Sequence, residues 1–296
     1  SWTIIDTGFW SKKTQSIWSE IKEKWFKDKP IGKVIVTHHH PDHVGLAGWF
    51  QTEFKAELWM SRTAWLMARM LRLDYQKLPT EETINFWRRA GMDDLILSER
   101  ATGKPFNFGD SVHEMPLGFR RIIDGEKIIL GNRSWIVRVG NGHAPEHLTL
   151  WCKDEPIVIA GDQIISSISP NLGVYATEPE ADPVQEWLMS CEAFLPFSND
   201  KQLVLPGHKL PFYGLPHRLK QLIENHHSAL KRLVAFLKEP QTAVDCFPVL
   251  FNRKISDNEY GLALVEAVAH LNHLYRKKIV KRELNSKGAY VYTLKN

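Results

Sequence analysis

The chain has 296 residues, long enough for one large buried core or for one large and one small domain. A hydrophobic share of 43% and a charged share of 24% are those of an ordinary globular protein, and a net charge of +4 singles out neither a nucleic-acid nor a membrane partner. Three scattered cysteines without a CxxC pair (Cys152, Cys191 and Cys246) exclude a disulfide framework and a cysteine zinc site, which points to a reducing cytoplasm.

The chain opens without Met on WTIID at 2–6, a β-rich run ended by Thr7-Gly8, so the expectation is that an N-terminal segment is missing. No signal peptide is visible, and no apolar run reaches the roughly 18 to 20 residues of a membrane span. Next, SIWSEIKEKWF at 16–26 sets Ile17, Trp18, Ile21 and Trp25 on one helical face, and KVIVT at 33–37 reads as a buried strand. A helix at 46–54 and a strand at 56–61 follow, then a helical stretch rich in Trp, Met and Leu from 62 to about 97, treated as an insertion spanning about 62–125. Strands resume with KIILG at 127–131, 134–140, 147–152 and 156–162, and KQLVLPGH at 201–208 adds another. A long helix is expected over 216–238.

After Pro240 the pattern is an amphipathic helix at 258–278 and a hairpin with strands at 279–284 and 289–294. This predicts a small winged-helix-like domain over 240–296 behind a catalytic domain over 1–239. Its basic residues Arg276, Lys277, Lys278, Lys281 and Arg282 read first as a solvated face and second as a phosphate contact.

The stretch THHHPDHVG at 37–45 concentrates four of the chain's thirteen histidines in a loop at a strand end. In an extended segment His38 and His40 point to one side and can grip one ion, while His39 points away. Asp42 and His43 can face a second ion. Each site needs a further ligand from elsewhere, and other strand ends offer His143 in GHAPEH, Asp162 in AGDQ and His208 in LPGH. A carboxylate can bridge two ions, which makes Asp162 the natural link.

THHHPDH resembles the HxHxDH signature of the metallo-β-lactamase-fold hydrolases, and DTG, GHAPEH, the Gly-Asp of AGDQ and PGH follow in that family's order, over roughly 1–215. The resemblance implies an α/β fold, the four-layer αβ/βα sandwich, and most closely the branch with a C-terminal winged helix. It implies that His38, His40 and His143 bind one metal, that Asp42, His43 and His208 bind a second, and that Asp162 bridges them. Asp6 of the DTG turn and His147 are expected behind the ligands, orienting them.

Histidine with carboxylate suits zinc best, though iron and manganese accept the same set, so the cofactor expected is two divalent ions, zinc first. Two ions sharing a water supply a hydroxide nucleophile near neutral pH, with Asp42 as a proton acceptor. Tyr213 is a candidate to polarise a substrate oxygen, with a structural role as the plainer reading. His226, His227, His270 and His273 lie on helical patterns and read as structural, and Trp59, Trp65, Met67, Met70 and Trp87 as helix core or an acyl pocket.

The leading expectation is hydrolysis of a small-molecule ester or thioester. The alternatives are a single-strand ribonuclease, which would take nucleic acid as partner, a mononuclear iron sulfur dioxygenase, and a non-catalytic binding protein on the same fold.

Overall fold

The computed structural model describes residues 1–295 and divides into two compact units. The first comprises residues 1–75, 106–168 and 198–215. It contains strands β1 (Trp2–Ile5) and β2 (Ile31–Ile35) and helices α1 (Lys12–Trp25), α2 (Pro41–Val44) and α3 (Ala47–Phe54). Then come β3 (Glu57–Met60), α4 (Arg62–Leu73), and the strands β4 (Arg120–Arg121), β5 (Lys127–Leu130), β6 (Arg133–Gly140), β7 (His147–Cys152), β8 (Ile157–Gly161) and β9 (Leu203–Pro206).

The strands form two sheets. β1-β2-β3-β4 is parallel throughout; β5-β6-β7-β8-β9 is antiparallel up to β8, and β8 and β9 run parallel. Alternation along β2 decides which face meets what. Val34 and Val36 turn to a core shared with Val44, Phe50, Ala64 and Ala68 of the helices, whereas Ile35 joins Trp59, Ile122, Ile128, Val137, Leu148 and Leu150 between the sheets. Helix, sheet and sheet are therefore layered within this unit, as the α/β expectation requires.

The second unit takes residues 76–105, 169–197 and 216–296. It holds α5 (Glu81–Arg89), α6 (Asp94–Thr102), α7 (Pro183–Phe194), α8 (Leu215–Phe236, from residue 216), α9 (Phe247–Phe251), α10 (Tyr260–Arg276) and the antiparallel hairpin of β10 (Val280–Leu284) and β11 (Tyr290–Leu294). Within this unit α10 is tied to its neighbours. Its Asn272 Nδ2 donates to the carbonyls of Pro179 and Ala181, its His273 meets Asp182 at 3.0 Å, and its His270 Nε2 lies 3.1 Å from His226 Nδ1 on α8.

The single helical block expected from 62 is also divided. α4 belongs to the first unit and α5 and α6 to the second, and the chain then returns to the first sheet as β4, paired with β3. Helix α7 went unread although Asp182-Pro183 announces it: Asp182 caps Gln185 N at 3.0 Å and Pro183 takes the first helical turn. All three cysteines are free, and among the described residues no helix is long and apolar enough to cross a membrane.

Within the second unit, Glu266 on α10 is partly buried, accepts a hydrogen bond from Asn171 Nδ2 at 2.7 Å, and has its carboxyl pushed up to about 7 by burial. Between its ordinary value of 4.5 and 7, the folded protein holds a proton that the unfolded chain has released, so this residue's contribution falls as pH rises through that window. Glu266→Gln is expected to gain up to about 2 kcal/mol over the parent chain on going from pH 5 to pH 8, measured by urea unfolding. An equal difference at both pH values contradicts the assignment.

Candidate metal centre

Parallel strands that end side by side deliver the residues that matter. β1 ends at Asp6, β2 at Thr37-His38, β8 at Asp162 and β9 at Gly207-His208, so the carboxyl ends of both sheets converge on one place, joined by the β6–β7 loop that carries His143. Asp6 holds a left-handed backbone conformation (φ 59°), unusual for a residue with a side chain, and this turns its carboxylate inward. It accepts three hydrogen bonds there, from Thr37 N at 2.7 Å, Thr37 Oγ1 at 2.8 Å and His43 Nδ1 at 2.8 Å.

Those bonds fix two imidazoles. His43 Nδ1–H donates to Asp6, which turns Nε2 toward the other candidate ligands. Thr37 Oγ1 spends its own proton on Asp6, so it accepts from His38 Nδ1 at 3.0 Å and leaves His38 Nε2 bare. His38 Nε2 then lies 3.3 Å from His143 Nε2. His43 Nε2 lies 3.4 Å from Asp162 Oδ1 and 3.5 Å from Asp42 Oδ2; His208 Nε2 lies 3.0 Å from Asp42 Oδ2 and 3.2 Å from Asp162 Oδ2.

Potential ligand atoms gather as three overlapping groups: His38, His40 and His143; His38, His43 and Asp162; Asp42, His43 and His208. All seven residues expected from the sequence are thus brought together, with Asp162 Oδ2 3.6 Å from His143 and 3.2 Å from His208. Behind them, His147 stacks on His38 with ring centroids 4.6 Å apart and accepts from Asp162 N at 3.1 Å, which fixes the backbone that carries Asp162. His39 is buried but stands outside the three groups. Tyr213 is 65% exposed and is not among the residues lining the cleft beside His43 and His208. His226, His270 and His273 sit in the second unit's interior, as structural histidines do.

Two glycines keep the site open. A Cβ at Gly161, whose φ is 49°, would press on the His147 ring at 2.6 Å, and one at Gly207 would run into Asp162 Oδ1 and lie 2.7 Å from His43 Cε1.

Comparison with known proteins agrees with this geometry. Residues 1–208 match the model of the metallo-beta-lactamase superfamily, and residues 230–295 match that of the metallo-beta-lactamase-like C-terminal domain. The chain belongs to the metallo-β-lactamase superfamily. It is 24% identical over 304 residues to the probable metallo-hydrolase YqjP of Bacillus subtilis (strain 168), covering 99% of this chain and 90% of that one. Among solved structures it resembles a beta-lactamase domain protein from Burkholderia ambifaria (30% identity, TM-score 0.90, 99% and 84% of the two chains). It also resembles the metallo-beta-lactamase family protein TTHA1429 from Thermus thermophilus (25%, 0.74, 98% and 89%).

The superfamily's metal fits these residues on three counts. Tetrahedral coordination with bonds near 2.05 Å sets ligand atoms roughly 3.3 Å apart, and the nitrogen and oxygen separations above run from 3.0 to 3.6 Å. His43 Nε2 and Asp162 Oδ1 are buried without a hydrogen-bond partner among the described residues, a costly arrangement unless a cation serves both. Burial, with the mutual repulsion of neighbouring rings, holds His38, His40 and His147 well below the usual imidazole range and His39 down to about 4, so these rings are neutral lone-pair donors at pH 7.

His43 goes the other way. Burial opposes its charge, but the Asp6 and Asp162 carboxylates push it up to about 11, which marks its Nε2 side as a place where positive charge is stabilised. Burial likewise opposes ionisation of Asp162, yet His43, His143 and His208 draw its carboxyl below the ordinary value.

Thr37 was missed as a functional residue although it stands directly before the first motif histidine. Its hydroxyl relays Asp6 to His38, a role that composition cannot show and only the paired ends of β1 and β2 create. Asp6→Asn is expected to weaken metal binding about 10- to 100-fold, because an amide cannot accept from Thr37 and His43 on both oxygens. Competition with a chromophoric chelator measures this; unchanged affinity contradicts the role.

Proposed function

We propose that this protein hydrolyses a small ester or thioester at a dinuclear zinc centre. The observation that carries the reading is Asp162 set between two ligand triads, His38, His40 and His143 on one side and Asp42, His43 and His208 on the other. Two divalent ions held there would supply a nucleophilic water of lowered pKa and polarise the carbonyl oxygen. The chain's own residues do the rest. Asp6, through Thr37 and His43, holds the ring nitrogens in the right tautomer, and His147 fixes the Asp162 backbone. Asp42, part exposed and facing His208 Nε2 at 3.0 Å, is placed to take the proton released as the nucleophile attacks and to return it to the leaving group.

The cleft beside the centre supports an acyl substrate. It measures about 550 Å³ and combines Asp42, His43 and His208 with apolar walls from Ile5, Ile17, Trp18, Ile21 and Leu205. The basic residues of the tail, the feature that favours a ribonuclease, are mostly engaged elsewhere: Arg276 donates to the Glu180 carbonyl, Arg282 pairs with the Glu180 carboxylate, and Lys281 pairs with Glu283. A complete seven-residue set likewise speaks for two ions over the single iron of a sulfur dioxygenase.

The test is turnover of a panel of thioesters, esters, lactones and labelled single-stranded RNA, with and without chelator, beside elemental analysis. The expected result is about two zinc ions per chain and chelator-sensitive ester or thioester cleavage, lowered at least about 100-fold in kcat by Asp162→Ala and by Asp42→Asn. Cleavage of RNA alone, or one iron per chain without hydrolysis, overturns the reading.

A further inference from the structure

The second unit contains a cavity of about 280 Å³, bounded by α5, the loop around 176–180, α10 and the hairpin β10–β11. Two of its polar atoms are buried with no hydrogen-bond partner among the described residues: Nη1 of Arg89 and Oδ1 of Asn272. Asn272 is 1% exposed, and its Nδ2 is fully used on the Pro179 and Ala181 carbonyls, so the amide cannot turn over to hide its bare oxygen.

The charge balance around the cavity sharpens the point. Arg282 is neutralised by Glu180 at 2.9 Å and lies over the Tyr290 ring at 4.2 Å. Glu82 is exposed in the first turn of α5, where the helix terminus and the Thr80 side chain stabilise its charge. Arg89 is different: it lies 5.0 Å from the Tyr290 centroid, and no ion pair to a carboxylate involves it among the described residues. Arg89 is partly buried, but its Nη1 is a buried donor with no acceptor, which is costly, and an anionic ligand relieves that cost. Phe86 and Val268 are among the apolar residues that line the cavity.

We propose that this cavity is a second ligand site, separate from the metal centre, for a small organic anion. The anionic group, a carboxylate or a phosphate, binds Arg89 Nη1, and a hydroxyl or amino donor on the same molecule binds Asn272 Oδ1. Its volume limits the ligand to the size of a small metabolite, because drug-sized pockets begin at roughly 300 Å³. Arg89 lies over the Tyr290 ring and has its Nη1 unbonded, and a planar guanidinium recognises a carboxylate or phosphate through directed hydrogen bonds.

Isothermal titration of the metal-loaded full chain tests this, using glycerol 3-phosphate and 3-hydroxybutyrate as the two anion-plus-donor probes, inorganic phosphate as an anion without the donor, and glycerol as the uncharged control. At least one of the two paired probes is expected to bind at low-millimolar concentration or tighter, inorganic phosphate more weakly, and glycerol not at all. Arg89→Gln is expected to weaken that binding at least about tenfold, and Arg89→Lys, which keeps the charge and loses the fork, by less. Which paired probe wins separates phosphate from carboxylate chemistry. Circular dichroism melting of both variants shows that they fold, and retained zinc shows that the metal centre is untouched. Failure of both paired probes to bind, or binding that survives Arg89→Gln unchanged and therefore resides at the metal centre, overturns the proposal.

Discussion

The carboxylate of Asp6 is the constraint on which the metal centre depends. One side chain, turned inward by a left-handed backbone at the end of β1, holds the loop after β2 by its amide and hydroxyl and holds His43 by its ring. Both contacts orient a ring, so that His38 Nε2 and His43 Nε2 face the cluster interior before any ion arrives. Because Asp6 belongs to β1 and its partners follow β2, the parallel pairing of these strands, with Ile5 opposite Ile35, is a condition of the chemistry as well as of the fold.

The same preorganisation has an energetic consequence. His38 Nε2 and His143 Nε2 are held 3.3 Å apart, and the buried His43 Nε2 and Asp162 Oδ1 lack hydrogen-bond partners among the described residues. Without a cation this arrangement costs stability, and the cost is held by the two cores that flank β2, the helix-facing one around Phe50 and the intersheet one around Leu148 and Leu150. Close-packed cores of this kind leave little room for the ligands to relax apart. Metal binding therefore adds to folding stability as well as enabling reaction.

Much of this was legible in the sequence because it is local. HxHxDH places four candidate ligands, His38, His40, Asp42 and His43, in one short loop, and the strand ends AGDQ and LPGH offer Asp162 and His208 in the order the family resemblance implies. The strands, with their β-branched alternation, were equally readable. What stayed hidden is non-local. Nothing in the periodicity of 62–97 says that α4 packs with the first sheet while α5 and α6 join the C-terminal helices, and Thr37 reads as one more strand residue until Asp6 is placed beside it. The Arg89 cavity draws on four separated stretches of chain and has no sequence signature at all.

The central claim is that one carboxylate, Asp162, joins two ions held by two triads, and anomalous diffraction from zinc-loaded crystals, recorded on both sides of the zinc edge, tests it most directly. The account predicts two peaks, one bonded to His38, His40 and His143 and one to Asp42, His43 and His208, each at roughly 2.0 to 2.2 Å from its ligands and both touching Asp162. A single peak, or two peaks of which one lies away from these residues, would contradict it.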